Sequence, residues 1–237
     1  MFTRILTTAC FAGAIAALLL TLMQSLWISP LILQAEVYEN AQTPHEHVHE
    51  QHADSHEHEH NNETWAPEDG WQRTLSTFAG DLVVAIGFAL VLSALYNLRA
   101  PTTPLHGMLW GVAGYITFCL APAAGLPPEL PGTMAADLSL RQDWWGATAL
   151  AAATALALLV FSRHGFWRLA ALVLIAAPHL VGAPQPADHH ALAPDELQAQ
   201  FRMASLLVNA VFWVVLGGLS GWWFWKQPTV DDPLNVA

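Results

Sequence analysis

The sequence predicts an all-α fold, a polytopic integral membrane helix bundle that carries a long His-rich extracytoplasmic loop. Three observations lead there. Apolar residues make up 54% of the 237-residue chain and charged residues only 11%, a balance typical of membrane proteins rather than soluble domains. Six apolar runs, near residues 5–28, 76–97, 105–125, 144–162, 166–184 and 203–225, are each long enough to cross roughly 30 Å of hydrocarbon. Between the first two, residues 45–60 read HEHVHEQHADSHEHEH, with seven histidines in sixteen positions and no Lys or Arg.

The first run follows Arg4 and is longer than the apolar core of a signal peptide. No A-x-A cleavage pattern follows its apolar stretch before Pro30, so it is expected to be retained as a span. Its Ala9, Gly13 and Ala17 recur every fourth position, as do Gly107 with Gly111 in the third run and Gly217 with Gly221 in the last. Such spacing lets helix backbones approach closely. The fourth and fifth runs are separated only by Ser162, Arg163, His164 and Gly165, and the fifth contains Pro178, which shortens or breaks helices. Six spans is therefore the expected count, with five as the alternative. Trp65, Trp71, Trp144, Trp145 and the Trp222–Trp225 cluster fit an aromatic belt at the membrane interfaces. Residues 1–237 read as one membrane domain, with 40–64 as a flexible His/Glu-rich insertion between the first two spans.

The distribution of charge agrees with six spans. With the N-terminus inside, Arg4, Arg99, Arg163, Arg168 and Lys226 fall on the cytoplasmic side, while sixteen of the nineteen acidic residues fall outside. That matches the excess of Lys and Arg found in cytoplasmic loops. Both ends are then cytoplasmic and the histidine tract is periplasmic. A net charge of −11 with eight Lys and Arg in all argues against a nucleic-acid partner. Cys10 and Cys119 each lie in an apolar run, so neither a disulfide framework nor a thiolate metal site is expected. No P-loop motif is present.

Imidazole and carboxylate together suit divalent transition metals. Within the tract, His45/His49, His52/His56 and His56/His60 would share a helix face, whereas His45, His47, His49 and His56, His58, His60 alternate as on a strand. No single geometry satisfies all seven. The tract therefore reads as a multi-site collector of modest affinity, weakening as the imidazoles protonate below about pH 6.5. Ten acidic residues between Glu36 and Asp69 should enrich cations around it. Two HExxH matches, His45–His49 and His56–His60, are products of this composition, and no enzymatic activity is expected. Selectivity must lie elsewhere, because such ligands favour Cu²⁺, Ni²⁺ or Zn²⁺ over Co²⁺.

Polar groups at membrane depth are costly and often mark an ion path. Gln24, Asp81 and His179 all fall near the outer ends of their spans. Pro178 should free backbone carbonyls beside the His179 imidazole.

The run Arg4…Gln24…Pro30-Leu31-Ile32-Leu33-Gln34-Ala35-Glu36-Val37-Tyr38-Glu39, followed by the His-rich tract and Trp65-Ala66-Pro67, resembles the CbtA family of predicted cobalt transporter subunits. The resemblance continues through Leu109-Trp110-Gly111, Ala121-Pro122, Gly125–Gly132 with Asp137, Arg141-Gln142, Trp144-Trp145 and Pro178–Pro184. It implies a bacterial inner-membrane protein serving cobalt uptake for cobalamin synthesis, beside a small single-span, His-rich CbtB-type partner. The family is usually described with five spans, which would move the C-terminus to the other side. In the six-span topology the motif stretches Leu126–Gly132 and Pro178–Pro184 both lie on the tract's side, which suggests that Glu36, Glu129, Asp137 and His179 converge into an oxygen-rich entry site. The expected ligand set is thus His45, His47, His49, His52, His56, His58 and His60 as collectors, with His179, Asp81, Glu36, Glu129 and Asp137 nearer the membrane. The expected cargo is Co²⁺, with Ni²⁺ or Zn²⁺ as alternatives and a non-conducting metal sensor or scaffold as the rival function. No permanent cofactor is expected.

Overall fold

The computed structural model describes residues 1–42, 70–188 and 190–227 of the chain. The seven tract histidines lie outside them. The described elements are helical: α1 (Phe2–Met23), a π-helical turn (Gln24–Ile28), α2 (Ser29–Gln42), α3 (Trp71–Leu95), α4 (Pro104–Tyr115), a second π-helical turn (Ile116–Leu120), α5 (Ala121–Ala123), α6 (Leu138–Phe161), α7 (Gly165–Val181) and α8 (Asp195–Lys226). Among the described residues, extended pairing is limited to an isolated antiparallel bridge between Thr133 and Ala191.

α1, its π turn and α2 form one continuous helix. It runs well past the residue-28 boundary expected from hydropathy and enters the 40–64 insertion. Likewise α3, α6 and α8 begin five to eight residues before their apolar runs. Hydropathy registers the part of a helix that suits lipid, whereas the hydrogen-bonded ladder continues into polar turns beyond it. Both π turns end two residues before a proline, Pro30 and Pro122. A proline donates no N–H to the preceding turn, and a π turn is one way of fitting it into a running helix.

α1, α3 and α8 share a core of small and aromatic side chains: Ala9, Ala12, Ala16 and Ala17 on α1, Ala85, Ala89 and Leu92 on α3, and Val208, Phe212, Trp213 and Leu216 on α8. α4 closes it through a glycine seam. Gly107, Gly111 and Gly114 press against Trp213, Gly217 and Gly221 so closely that a Cβ at Gly221 would lie 2.6 Å from the Gly107 Cα. Gly13 meets α3 in the same way, with a Cβ there 2.8 Å from the Ile86 Cα. The four-residue spacings in the sequence are thus the contact surfaces of the bundle. α6 and α7 form a hairpin packed on the α4–α5 side, and α7 leaves Leu169, Leu172, Val173 and Leu180 exposed.

The start of α1 and the end of α8 lie together. Arg4 Nε donates to the Phe224 carbonyl at 3.0 Å, and Gln227 Nε2 donates to Thr7 Oγ1 at 3.0 Å and Thr8 Oγ1 at 3.2 Å. Between two points at one end of a bundle, the chain must traverse it an even number of times. Among the described residues, five helices are long and apolar enough to cross a membrane by length and composition. α7 has 17 residues, about 25 Å of helix, and falls short of that measure. It nevertheless runs back along α6, bringing Pro178 to Trp144 in the second turn of α6, and so supplies the sixth pass. The chain is a multi-pass all-α membrane bundle of six traversals, one of them short.

The tryptophans expected only as a belt have further contacts. Trp223 stacks on Phe11 with ring centroids 4.1 Å apart, Lys226 Nζ sits 4.2 Å from the Trp222 ring centroid, and the Arg4 guanidinium sits 3.8 Å from that of Phe224. Positive charge at the end of α8 also complements its helix dipole.

Candidate functional site

The end of the bundle opposite Arg4 holds the end of α2 and the start of α3, and the described candidate residues lie towards it without forming one group. Asp81 lies on the third turn of α3, turned onto α1 where the π turn begins. It accepts a hydrogen bond from Thr21 Oγ1 at 2.7 Å and a longer one from Gln24 Nε2 at 3.4 Å. Thr21 and Gln24 are three apart and share a helix face. This carboxylate lies within a spanning helix, partly buried, and both of these donors are neutral. It leaves oxygen lone pairs for a cation, and Thr21 and Gln24 bring two further oxygens close to it.

The same two helices meet again nearer the loop end. Arg73 on α3 and Glu36 on α2 form an ion pair, with Nη2 to Oε1 at 3.0 Å and side chains 33% and 35% exposed. At that exposure the pair contributes about 0–1 kcal/mol.

Beside this seam, two loops are knitted into a cap. Met134 N donates to the His190 carbonyl at 3.0 Å and Leu192 N to that of Gly132 at 3.3 Å. Gln198, buried near the start of α8, accepts from Leu130 N at 3.3 Å and donates to Thr133 Oγ1 at 2.8 Å. Leu31 and Ala35 of α2 join Leu130, Ala193, Leu197 and Phe201 in a second apolar cluster beneath these loops. Gly132 adopts φ +75°, a conformation that favours glycine, and a Cβ there would also meet Leu192.

The four residues expected to converge each have other surroundings. Glu36 pairs with Arg73. Asp137 is the N-cap of α6, accepting from Ser139 N at 2.9 Å, Leu140 N at 3.4 Å and Ser139 Oγ at 2.6 Å; the Ser139 hydroxyl and these amides hold its carboxyl below the usual range. His179 packs edge-on against Trp144, ring centroids 5.8 Å apart. The Pro178 carbonyl beside it accepts from Trp144 Nε1 at 3.2 Å and Gly182 N at 3.1 Å. Glu129 is exposed in the capping loop. Among the described residues, no three His, Cys, Asp or Glu side chains form a group able to hold a metal ion. Thr21 and Arg73 were not singled out from sequence as site residues. A threonine in an apolar run is ordinary, and Arg73 is a single charge in the polar stretch before the second apolar run.

No match was found among curated proteins or solved structures. The family comparison reaches almost the whole bundle: a model described as probable cobalt transporter subunit matches residues 2–225, from the first turn of α1 to the last of α8. The multi-pass fold and the residues aligned along it thus lead to one assignment, and the chain belongs to the CbtA family of probable cobalt transporter subunits.

Proposed function

We propose that this chain is the membrane subunit of a Co²⁺ uptake system in the bacterial inner membrane. Both termini are cytoplasmic and the His-rich segment is periplasmic. His45, His47, His49, His52, His56, His58 and His60 gather the dication, and the seam between α1–α2 and α3 takes it inward past Glu36 to Asp81. The observation that carries this reading is connectivity. The histidine segment joins the ends of the two helices between which Asp81 is held by Thr21 and Gln24. The tract is therefore attached at the loop end of the two helices that hold the carboxylate.

Asp81 supplies fixed negative charge where lipid offers none, and the neutral Thr21 and Gln24 orient it without neutralising it. Oxygen-rich coordination suits Co²⁺ less tightly than imidazole does. Passage from the tract to the seam is therefore uphill in affinity and needs a downstream sink that keeps the inner side empty. Glu129, Asp137 and His179 stand at the periplasmic surface as an accessory acidic and imidazole fringe, and the physiological complex includes a small single-span, His-rich subunit. The role is transport, not catalysis.

Radiolabelled Co²⁺ uptake into membrane vesicles, with and without the small subunit and with Ni²⁺ and Zn²⁺ measured alongside, tests the proposal. Saturable Co²⁺ entry that depends on this chain supports it. Metal bound at the membrane without entry would replace transport by a metal-holding scaffold.

A further inference from the structure

Outward of Asp81, the helices that hold it make a second polar contact. Arg73 precedes Asp81 by eight residues on α3, about 12 Å along the axis, and its guanidinium occupies the Glu36 carboxylate on α2. The seven-histidine segment is attached just beyond, to Gln42 and Gly70. A cation moving from that segment to Asp81 along the seam thus meets a carboxylate already holding a positive charge. Because both side chains are about a third exposed, a competitor from water can reach the pair. A dication brings twice the charge of a guanidinium and sits closer to carboxylate oxygen, at about 2.0–2.2 Å against 2.7–2.9 Å for a charged N–H donor.

From this we infer that Arg73 is a displaceable stopper on Glu36: in the metal-free protein it occupies the Glu36 carboxylate at the loop end of α2 and α3, and a divalent cation captured by Glu36 takes its place. The inference rests on the transport reading and adds to it a residue that governs entry. Arg73 touches no transported ion. It sets the concentration at which Glu36 accepts one.

The two halves of the pair then act with opposite sign. Arg73→Gln removes the competitor and should lower the Co²⁺ concentration for half-maximal uptake by about two- to fivefold, the range set by the strength of a partly exposed ion pair. Glu36→Gln removes the acceptor and should raise it. A contact that merely fastens α2 to α3 predicts the same direction for both, with reduced membrane abundance in each. Uptake is measured against Co²⁺ concentration in vesicles containing the full chain and its partner, normalised to the amount of chain inserted. Arg73→Lys, which keeps the charge and loses the fork, provides a milder variant with a smaller lowering. Opposite shifts support the stopper. Shifts of one sign, or unchanged half-saturation in both Arg73 variants while the wild type transports, overturn it alone. A wild type that carries no Co²⁺ overturns the transport reading and the stopper with it.

Discussion

Gly217→Ala puts the packing of the bundle to its sharpest test. The added methyl would stand 2.7 Å from both the N and Cα of Gly111, and closer still to the Gly107 carbonyl oxygen. Carbon contacts settle near 3.5–4.0 Å, so α4 and α8 would have to part by about 1 Å, and a gap of that size forfeits a quarter to a half of each contact along the seam. Every obstructing atom named is backbone, so no side chain can swing aside. Overpacking of this kind costs about 1–3 kcal/mol; taking the upper figure and subtracting about 1 kcal/mol for the better helix propensity of Ala over Gly leaves about 2 kcal/mol. That is roughly a 30-fold fall in the folded-to-unfolded ratio. Gly87→Ala on α3 is the matched control, because a Cβ there meets nothing within 4 Å; it should be neutral or stabilising by up to about 1 kcal/mol. Tryptophan fluorescence during unfolding in mixed detergent and sodium dodecyl sulfate micelles compares the two. Coincident transitions for both variants would refute the close-packed seam.

Other outcomes follow from the same contacts. Asp81→Asn keeps the size and hydrogen-bonding capacity of the side chain and removes its charge. Saturable Co²⁺ uptake should drop about tenfold or more at normal membrane abundance, and unchanged uptake removes Asp81 from the path. Deleting residues 45–60 should impair uptake when Co²⁺ is scarce and spare it when Co²⁺ is abundant; equal loss at both concentrations means the tract is not a collector. Asp137 ionises more readily in the folded protein than in the unfolded chain. Its capping contribution is therefore complete above the ordinary carboxylate range and is lost as pH falls through its lowered native value. Asp137→Ala should abolish that acid dependence and speed amide exchange at Ser139 and Leu140, whereas Asp137→Asn should retain the cap at neutral pH. Exchange as slow in Asp137→Ala as in wild type would show the cap to be inert.

By itself the sequence determined what depends on composition and period. The apolar runs specify membrane helices because lipid leaves the backbone no other partner than its own helix. The spacing of Ala9, Gly13 and Ala17, of Gly107 and Gly111, and of Gly217 and Gly221 marked buried faces because close approach needs small residues at one helical period. The polarity of Asp81 at span depth was equally legible. Only the tertiary structure decided which distant residues share a contact. Thr21 and Gln24 acquire meaning from an aspartate nearly sixty positions on, and Arg73 from a glutamate on the other side of the histidine tract. The same holds for Asp137, whose carboxyl turned to its own helix N-terminus, and for the number of passes. Hydropathy alone left α7 in doubt, and the meeting of Arg4 with Phe224 requires it. The reason is physical: periodicity records which face of a helix avoids water, while side-chain pairing across the bundle is set by helix order, crossing and register, which no local stretch encodes.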